Sequence, residues 1–340
     1  MKNKSLGLYN IIDTEGINKS INNVLSSNIN FNTYTSPKGL KELRIEISKF
    51  LNNIWNYKIN YKDMLITTGS QQSINLIAYS LLNEGDTVLI EQPTYFGAIN
   101  VFKNRNINLV GVDLTENGFD LNIFEHKIIK YKPKLIYVTP TFNNPTGYSW
   151  SNNYRRKFLE IINKYNVLVL EDDPYSLINY TNYKYKSLYE LNKGRNIIYL
   201  GTFSKYISSS INVGYIISNE NILKKIYPFK ESFDLCTPLF TQLIVLDYIQ
   251  NNNIKEMIDN KIPIYKKLLN DTILDIKKNY KEYFSSYSKV KGGLFINVKF
   301  KKDIDNKTFE SGNNYYIDDN HNNETRINIC NLLFNGNKSN

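Results

Sequence analysis

The chain predicts an α/β protein, a mostly parallel sheet sandwiched by helices, followed by a smaller α+β unit. Three observations predict it. Between about residues 60 and 217, short runs rich in Val, Ile and Leu alternate with amphipathic stretches, the pattern of strands buried on both faces and joined by crossover helices. After about residue 220 the apolar period lengthens to that of helices. At 340 residues with 41% hydrophobic side chains, the chain can bury one large core and a smaller second one.

In chain order, Met64-Leu65-Ile66 reads as the first strand and 71–82 as the helix after it; Thr87-Val88-Leu89-Ile90 and 96–103 repeat the pair. Leu135-Ile136-Tyr137-Val138, helix 151–165, Val167-Leu168-Val169-Leu170 and Ile197-Ile198-Tyr199-Leu200 continue it, with a further apolar run over 213–217. Helices are expected over 239–250 and 258–280, then a strand over 293–298, while the polar stretch 300–325 reads as loop. The expected division is a large domain over 31–225, with residues 1–30 as an N-terminal arm and 226–340 as a small C-terminal domain.

Composition removes several function classes. Two cysteines and two histidines (Cys236, Cys330, His126, His321) supply neither a disulfide framework nor a Cys/His zinc site, and no metal is expected. The N-terminal MKNKSLGLYN leads into polar residues instead of an apolar secretory core, and no run reaches membrane-spanning length. A cytoplasmic protein with no membrane partner is expected. The net charge of +10 is carried by scattered lysines without a Lys/Arg block, so no nucleic-acid partner is expected. Only six arginines occur, which makes each position informative.

Ligands of such sheets sit at the carboxyl ends of the strands, and the exits carry chemistry. The first, Thr68-Gly69-Ser70-Gln71-Gln72, leads through a glycine turn into a helix N-terminus, where unpaired N–H groups suit a phosphate. The second, Glu91-Gln92-Pro93-Thr94-Tyr95, delivers a ring able to stack on a flat cofactor. Next come Thr139-Pro140-Thr141-Phe142-Asn143-Asn144-Pro145 and then Glu171-Asp172-Asp173-Pro174-Tyr175. Acids at the mouth of a buried strand are costly unless they meet a cation or a protonated nitrogen. The last exit, Thr202-Phe203-Ser204-Lys205, offers an amine whose pKa a desolvated pocket would lower, as carbonyl attack requires. Singly each feature is ordinary: serine caps helices, aromatics fill cores, and most lysines are surface charges. Together they are the parts that pyridoxal 5′-phosphate (PLP) needs.

The ordered set TYTSPKGLKELR, TTGSQQ, EQPTYFGA, PTFNNPTG, EDDPY, GTFSK and RINI, over about 31–331, resembles fold-type I PLP-dependent aminotransferases of the class I/II superfamily, in their 2-aminoadipate and kynurenine aminotransferase-like branch. The spacings agree, with 25 residues from Ser70 to Tyr95, 28 from Asn144 to Asp172 and 33 from Asp172 to Lys205. The resemblance implies that Lys205 forms the Schiff base and carries the proton, that Asp172 holds the pyridine nitrogen, and that Asn144 and Tyr175 donate to the ring oxygen. It further implies that Tyr95 stacks and that Gly69, Ser70, Gln71, Thr202 and Ser204 bind the phosphate, with Tyr34 reaching it from the partner of a homodimer. Arg326 would take the substrate α-carboxylate, with Gly39 and Asn144 beside it. The implied activity is amino-group transfer between an amino acid and a 2-oxo acid.

Two departures qualify that expectation. Seven residues beyond the lysine, where the family carries a phosphate-pairing arginine, stands Asn212. Losing one partner of a desolvated charge pair costs about 2–5 kcal/mol, and about tenfold in affinity accompanies each 1.4 kcal/mol. Only 14 residues follow Arg326, so a reduced small domain is expected. A PLP-dependent lyase or decarboxylase would use the same ring-holding residues, and a non-catalytic PLP fold would tolerate both departures.

Overall fold

The structure, a computed structural model, describes residues 12–304 and 309–331. The first residues of the expected arm and the C-terminal residues from 332 onward lie outside them.

Seven strands form the main sheet: β1 (Met64–Thr67), β2 (Thr87–Gln92), β3 (Asn108–Asp113), β4 (Leu135–Val138), β5 (Leu168–Asp172), β6 (Ile197–Thr202) and β7 (Gly214–Ile217), in the order β1-β7-β6-β5-β4-β2-β3. Strands β3, β2, β4, β5 and β6 run parallel, and β7 runs antiparallel to both β6 and β1. The parallel strands are near-continuous apolar runs because both faces are covered. Leu65, Val88, Ile90, Leu135, Leu170 and Ile198 pack into one core, while Met64, Ile66, Leu89, Ile136, Val169 and Ile197 pack into the other. Alternate residues therefore point to opposite layers.

The antiparallel β7 matters for the site. Its register pairs Gly214 with Thr67 at the end of β1 and with Thr202 at the end of β6. The start of β7, preceded by Asn212, consequently lies at the same sheet edge as the carboxyl ends of the other strands.

Helices α1 (Thr14–Leu25) and α2 (Lys41–Ile54) precede the sheet; α3 (Gly69–Leu81), α4 (Phe96–Asn104), α5 (Leu121–Tyr131), α6 (Asn152–Tyr165) and the short α7 (Leu188–Leu191) connect its strands. Three further helices follow, α8 (Glu220–Asp234), α9 (Leu239–Asn251) and α10 (Ile254–Asn279). A second, antiparallel sheet of β8 (Phe284–Tyr287), β9 (Phe295–Phe300) and β10 (Glu324–Asn328) has the order β10-β9-β8.

The helices expected over 96–103, 151–165, 239–250 and 258–280 are present with ends shifted by a few residues. Strand β3 and helix α5 escape the periodicity reading. β3 is an edge strand, half-buried and interrupted by Gly111, so it lacks the continuous apolar run of its neighbours. α5 is marked chiefly by its cap, where Asp120 accepts from the N–H groups of Asn122 and Ile123. Among the described residues of the stretch expected as loop, Phe300 ends β9, a 3₁₀ turn covers Gly312–Tyr315 and β10 begins at Glu324; the other described residues are irregular.

Candidate active site

The acidic exit of β5 is sorted by strand alternation. Glu171 faces the layer of α6, where its carboxylate accepts the Leu188 and Tyr189 N–H groups at 2.8 and 2.9 Å and lies 3.9 Å from Arg155 Nη1. Asp173 accepts from the Tyr199 hydroxyl at 2.9 Å and the Ser176 N–H at 3.0 Å. Asp172 points the other way, with Leu170. Its Oδ2 accepts the Tyr137 hydroxyl at 2.7 Å, and its Oδ1 is buried with no hydrogen-bond partner. Burial pushes its carboxyl up to about 7, the neighbouring Asp173 charge adding to this while the Tyr137 hydrogen bond and Lys205 oppose it. Of these three acids, Asp172 alone keeps an unmet buried oxygen.

Lys205 enters from the turn after β6. Burial pulls its ammonium down to about 8, and the Arg326 cation lowers it further while Asp172 raises it. The two groups expected to flank one ring are thus electrostatically coupled. Tyr175, 3% exposed, and Asn144, 4% exposed, join them, and burial raises the Tyr175 hydroxyl, with Arg326, Tyr95, Asp172 and Asn144 all within its electrostatic reach. Tyr95 is held by a 3.0 Å hydrogen bond from its hydroxyl to Gln71 Oε1. Burial and the nearby Asp172 charge push that hydroxyl up to about 12.

The turn presenting Asn144 is braced from below. Glu91 Oε1 accepts the Thr139 N–H and Asn143 Nδ2, each at 2.7 Å, and also the Thr139 hydroxyl. Asn143 Oδ1 in turn accepts the Thr146 N–H and hydroxyl at 3.1 and 2.7 Å. Arg155, fully buried, bonds the carbonyls of Pro140, Trp150 and Lys186 and the Thr141 hydroxyl, tying this turn to the chain beyond β5. The Asn144 amide oxygen then receives Arg326 Nη1 at 3.2 Å.

At the opposite end, α3 begins at Gly69, two residues earlier than a serine cap at position 70 would place it. Its N-cap, Thr68, makes no side-chain capping bond. The Thr68 N–H is instead taken by Gln72 Oε1 at 2.8 Å, and the Thr68 hydroxyl donates to Asp234 Oδ2 at 3.0 Å. Gln72 Oε1 also receives the buried Lys230 Nζ at 3.0 Å, which pairs with Asp234. First-turn N–H groups therefore remain for an anion. Ser204 N–H donates to Thr202 Oγ1 at 3.1 Å, closing the facing turn.

Asn212, at φ +48°, lies beside this cradle. A Cβ on Gly69 would run into its Oδ1, so glycine is needed at 69 both for its φ of +74° and for this close approach. Gly39 has a backbone role of the same kind, at φ +85° against Ile66 of β1. Tyr34 stands 80% exposed.

Sequence reasoning missed Tyr137, Glu91, Asn143, Arg155, Lys230 and Glu310. Arg155 carried a signal, being one of six arginines, Tyr137 stands at a strand end, and Glu91 and Asn143 lie in the strand exits without a role assigned to them; Lys230 and Glu310 gave none.

The residues present fit pyridoxal phosphate, because Asp172 Oδ1 is the buried acceptor that a protonated ring nitrogen requires. An α/β sheet gathering such an acid and a depressed lysine at its carboxyl edge defines a class, the PLP-dependent proteins of fold type I. The chain belongs to the aminotransferase class I and II family, whose profile it matches over residues 7–267. It is 29% identical over 279 residues to aromatic-amino-acid aminotransferase 1 of Thermococcus litoralis, covering 81% of this chain and 67% of that protein. It is 28% identical over 278 residues to 2-aminoadipate transaminase of Thermus thermophilus, covering 80% and 67%. Among solved structures, kynurenine aminotransferase of Pyrococcus horikoshii superposes with a TM-score of 0.85 at 29% identity, over 94% of this chain and 83% of that one. The protein is a PLP-dependent transaminase acting on amino and oxo acids, and these relatives lend no support to the lyase or decarboxylase alternatives. Among the described residues no helix is long and apolar enough to cross a membrane.

Proposed function

We propose that this protein transfers an amino group between an amino acid and a 2-oxo acid with Lys205 as the proton carrier, Asp172 as the ring-nitrogen partner and Arg326 as the receptor of the substrate α-carboxylate. The observation that carries this reading is the pairing of a lysine held near pH 8 with a buried aspartate that keeps one oxygen unmet. An amine of that pKa is about one-fifth neutral at physiological pH, far more than an ordinary lysine, and the neutral form can take a proton at Nζ from the substrate α-carbon and return it. Bound PLP supplies the electron sink for the pair left at that carbon. Asp172 keeps the ring nitrogen protonated, Asn144 and Tyr175 orient the ring oxygen, and Tyr95 covers one face. Gly69, Ser70, Gln71, Thr202 and Ser204 hold the phosphate through N–H and hydroxyl donors.

The proposal extends to a cytoplasmic homodimer in which Tyr34 completes the partner's phosphate site, as its exposure allows. It includes the division into a large domain over 31–225 and a small one formed by the remaining segments. The relatives named above act on aromatic amino acids, 2-aminoadipate and kynurenine, and these are the amino donors to test first.

Adding PLP to the purified protein should produce a long-wavelength absorbance band that Lys205→Ala abolishes. An amino acid added to the loaded protein with a 2-oxo acid should yield a new amino acid. Absence of the band in the unsubstituted protein would sink the reading, and ammonia or carbon dioxide as the main product would replace transamination with elimination or decarboxylation.

A further inference from the structure

The guanidinium reserved for the substrate carboxylate already holds a carboxylate. Glu310, 8% exposed, places Oε2 3.2 Å from Nη2 of the fully buried Arg326. The same Oε2 accepts the Tyr315 hydroxyl at 2.7 Å, and Oε1 accepts Asn314 Nδ2 at 3.3 Å. On the rest of the fork, Nη1 is bonded to Asn144 and Nε is buried with no hydrogen-bond partner.

A guanidinium grips a carboxylate with two parallel bonds from neighbouring nitrogens. Nη2 belongs to both edges that can do this, the end edge with Nη1 and the side edge with Nε. Nη2 has two N–H groups, one on each edge, so Glu310 occupies one edge directly and sets its charge beside the other, while Nη1 holds Asn144 and Nε has no hydrogen-bond partner. The fork is also walled by rings, with Phe295 at 4.5 Å, Tyr315 at 5.2 Å and Phe96 at 5.9 Å from Cζ. Those rings leave it little room to turn a fresh edge outward.

We propose that Glu310 is a specificity-determining residue that competes with the incoming carboxylate for Arg326, so that substrate binding exchanges one carboxylate for another. This rests on the reading of Arg326 as the carboxylate receptor. A buried guanidinium without a counter-ion would gain a full desolvated charge pair from the substrate. With Glu310 in place the gain is only the difference between two similar pairs, together with what it takes to move Glu310 aside. The α-carboxylate thus contributes little net affinity, and selection among substrates passes to their other groups. An amino acid and the amine lacking its carboxylate are discriminated less than the fork alone would achieve.

The test titrates the PLP-loaded protein with propionate, a carboxylate with no amino group, by calorimetry. Glu310→Gln keeps an acceptor on Nη2 and removes the charge, and should bind propionate about tenfold or more tightly, a gain of about 1.4 kcal/mol. The same variant should lower KM for amino acids while leaving kcat within a few fold, and Arg326→Gln should remove propionate binding in either background. Tyr315→Phe, which takes one hydrogen bond from Glu310, should give a smaller tightening, and it decides the matter if Glu310→Gln does not fold. Unchanged or weaker propionate binding in these variants overturns the proposal, weaker binding assigning Glu310 a purely structural hold on Arg326. A Lys205-dependent band with no change in propionate affinity defeats the competition alone; if PLP gives no band, the same affinity change read on the apoprotein defeats the transaminase reading and leaves the competition standing.

Discussion

The two ends of this site are made of opposite materials. Around Asp172 and Lys205 the structure uses buried ionisable groups: Asp172 at 3% exposure, Arg326 at 0%, and Arg155 with Glu171 beneath them, both at 0%. Around Gly69 and Asn212 it uses neutral donors, the hydroxyls of Ser70, Thr202 and Ser204, uncapped helix N–H groups and an amide where the family carries a guanidinium. The buried cation behind that end, Lys230, is already bound to Asp234. The difference teaches that the two jobs tolerate different materials. Proton movement at a carbon needs groups whose pKa values are displaced by burial, whereas a phosphate can be held by hydrogen-bond donors alone at some loss of affinity.

The largest effect that would sharpen this contrast is at Asp172. Asp172→Ala should lower kcat by at least about 10²-fold with little change in PLP retention, measured by steady-state kinetics alongside cofactor binding. Comparable loss of both would erase the distinction between the ends. Next is Arg155→Met. Leaving Glu171 buried without its cation should destabilise the protein by about 3–5 kcal/mol, read as a lowered denaturation midpoint.

The apoprotein's pH dependence follows from Asp172. Its folded carboxyl lies near 7, above its ordinary 3.8, so the folded state binds the proton more tightly. The stabilisation from this group is present below about pH 4 and is lost as pH rises through about 7. Asp172→Asn removes the titration, so the variant's stability advantage should be small near pH 4 and grow to a few kcal/mol above pH 7. Thermal melts of both apoproteins across that range measure it.

At the neutral end the effect is smaller. Asn212→Arg should tighten PLP binding by about tenfold, less than a full buried pair because arginine at φ +48° is strained. Its affinity should also become more salt-sensitive than the unsubstituted protein's. Fluorescence titration with PLP at low and high salt reads both. The smallest effect concerns Lys205. Its amine should react with an acylating reagent with a midpoint near pH 8, and Arg326→Gln should move that midpoint upward, since Arg326 lowers it. A midpoint near that of surface lysines would break the coupling on which the charged end depends.

The sequence by itself determined the sheet's parallel strands, because burial on both faces leaves uninterrupted apolar runs, and it determined the chemistry at their exits, because each exit is a contiguous stretch whose residue types are legible in a row. It showed Asn212 as a departure for the same reason. What only the tertiary structure decided are the relations between stretches far apart in the chain. Edge strand β3 carries no run to read, and the antiparallel β7, which sets Asn212 against Gly69, depends on pairing partners. The sorting of Glu171, Asp172 and Asp173 onto opposite layers needed the strand's register. The partnership of Glu310 with Arg326 arises inside a stretch that reads as polar loop, where no local pattern tells a solvated carboxylate from one folded inward. Local periodicity reports which face of an element is buried, and only the folded chain reports which charge that face finally meets.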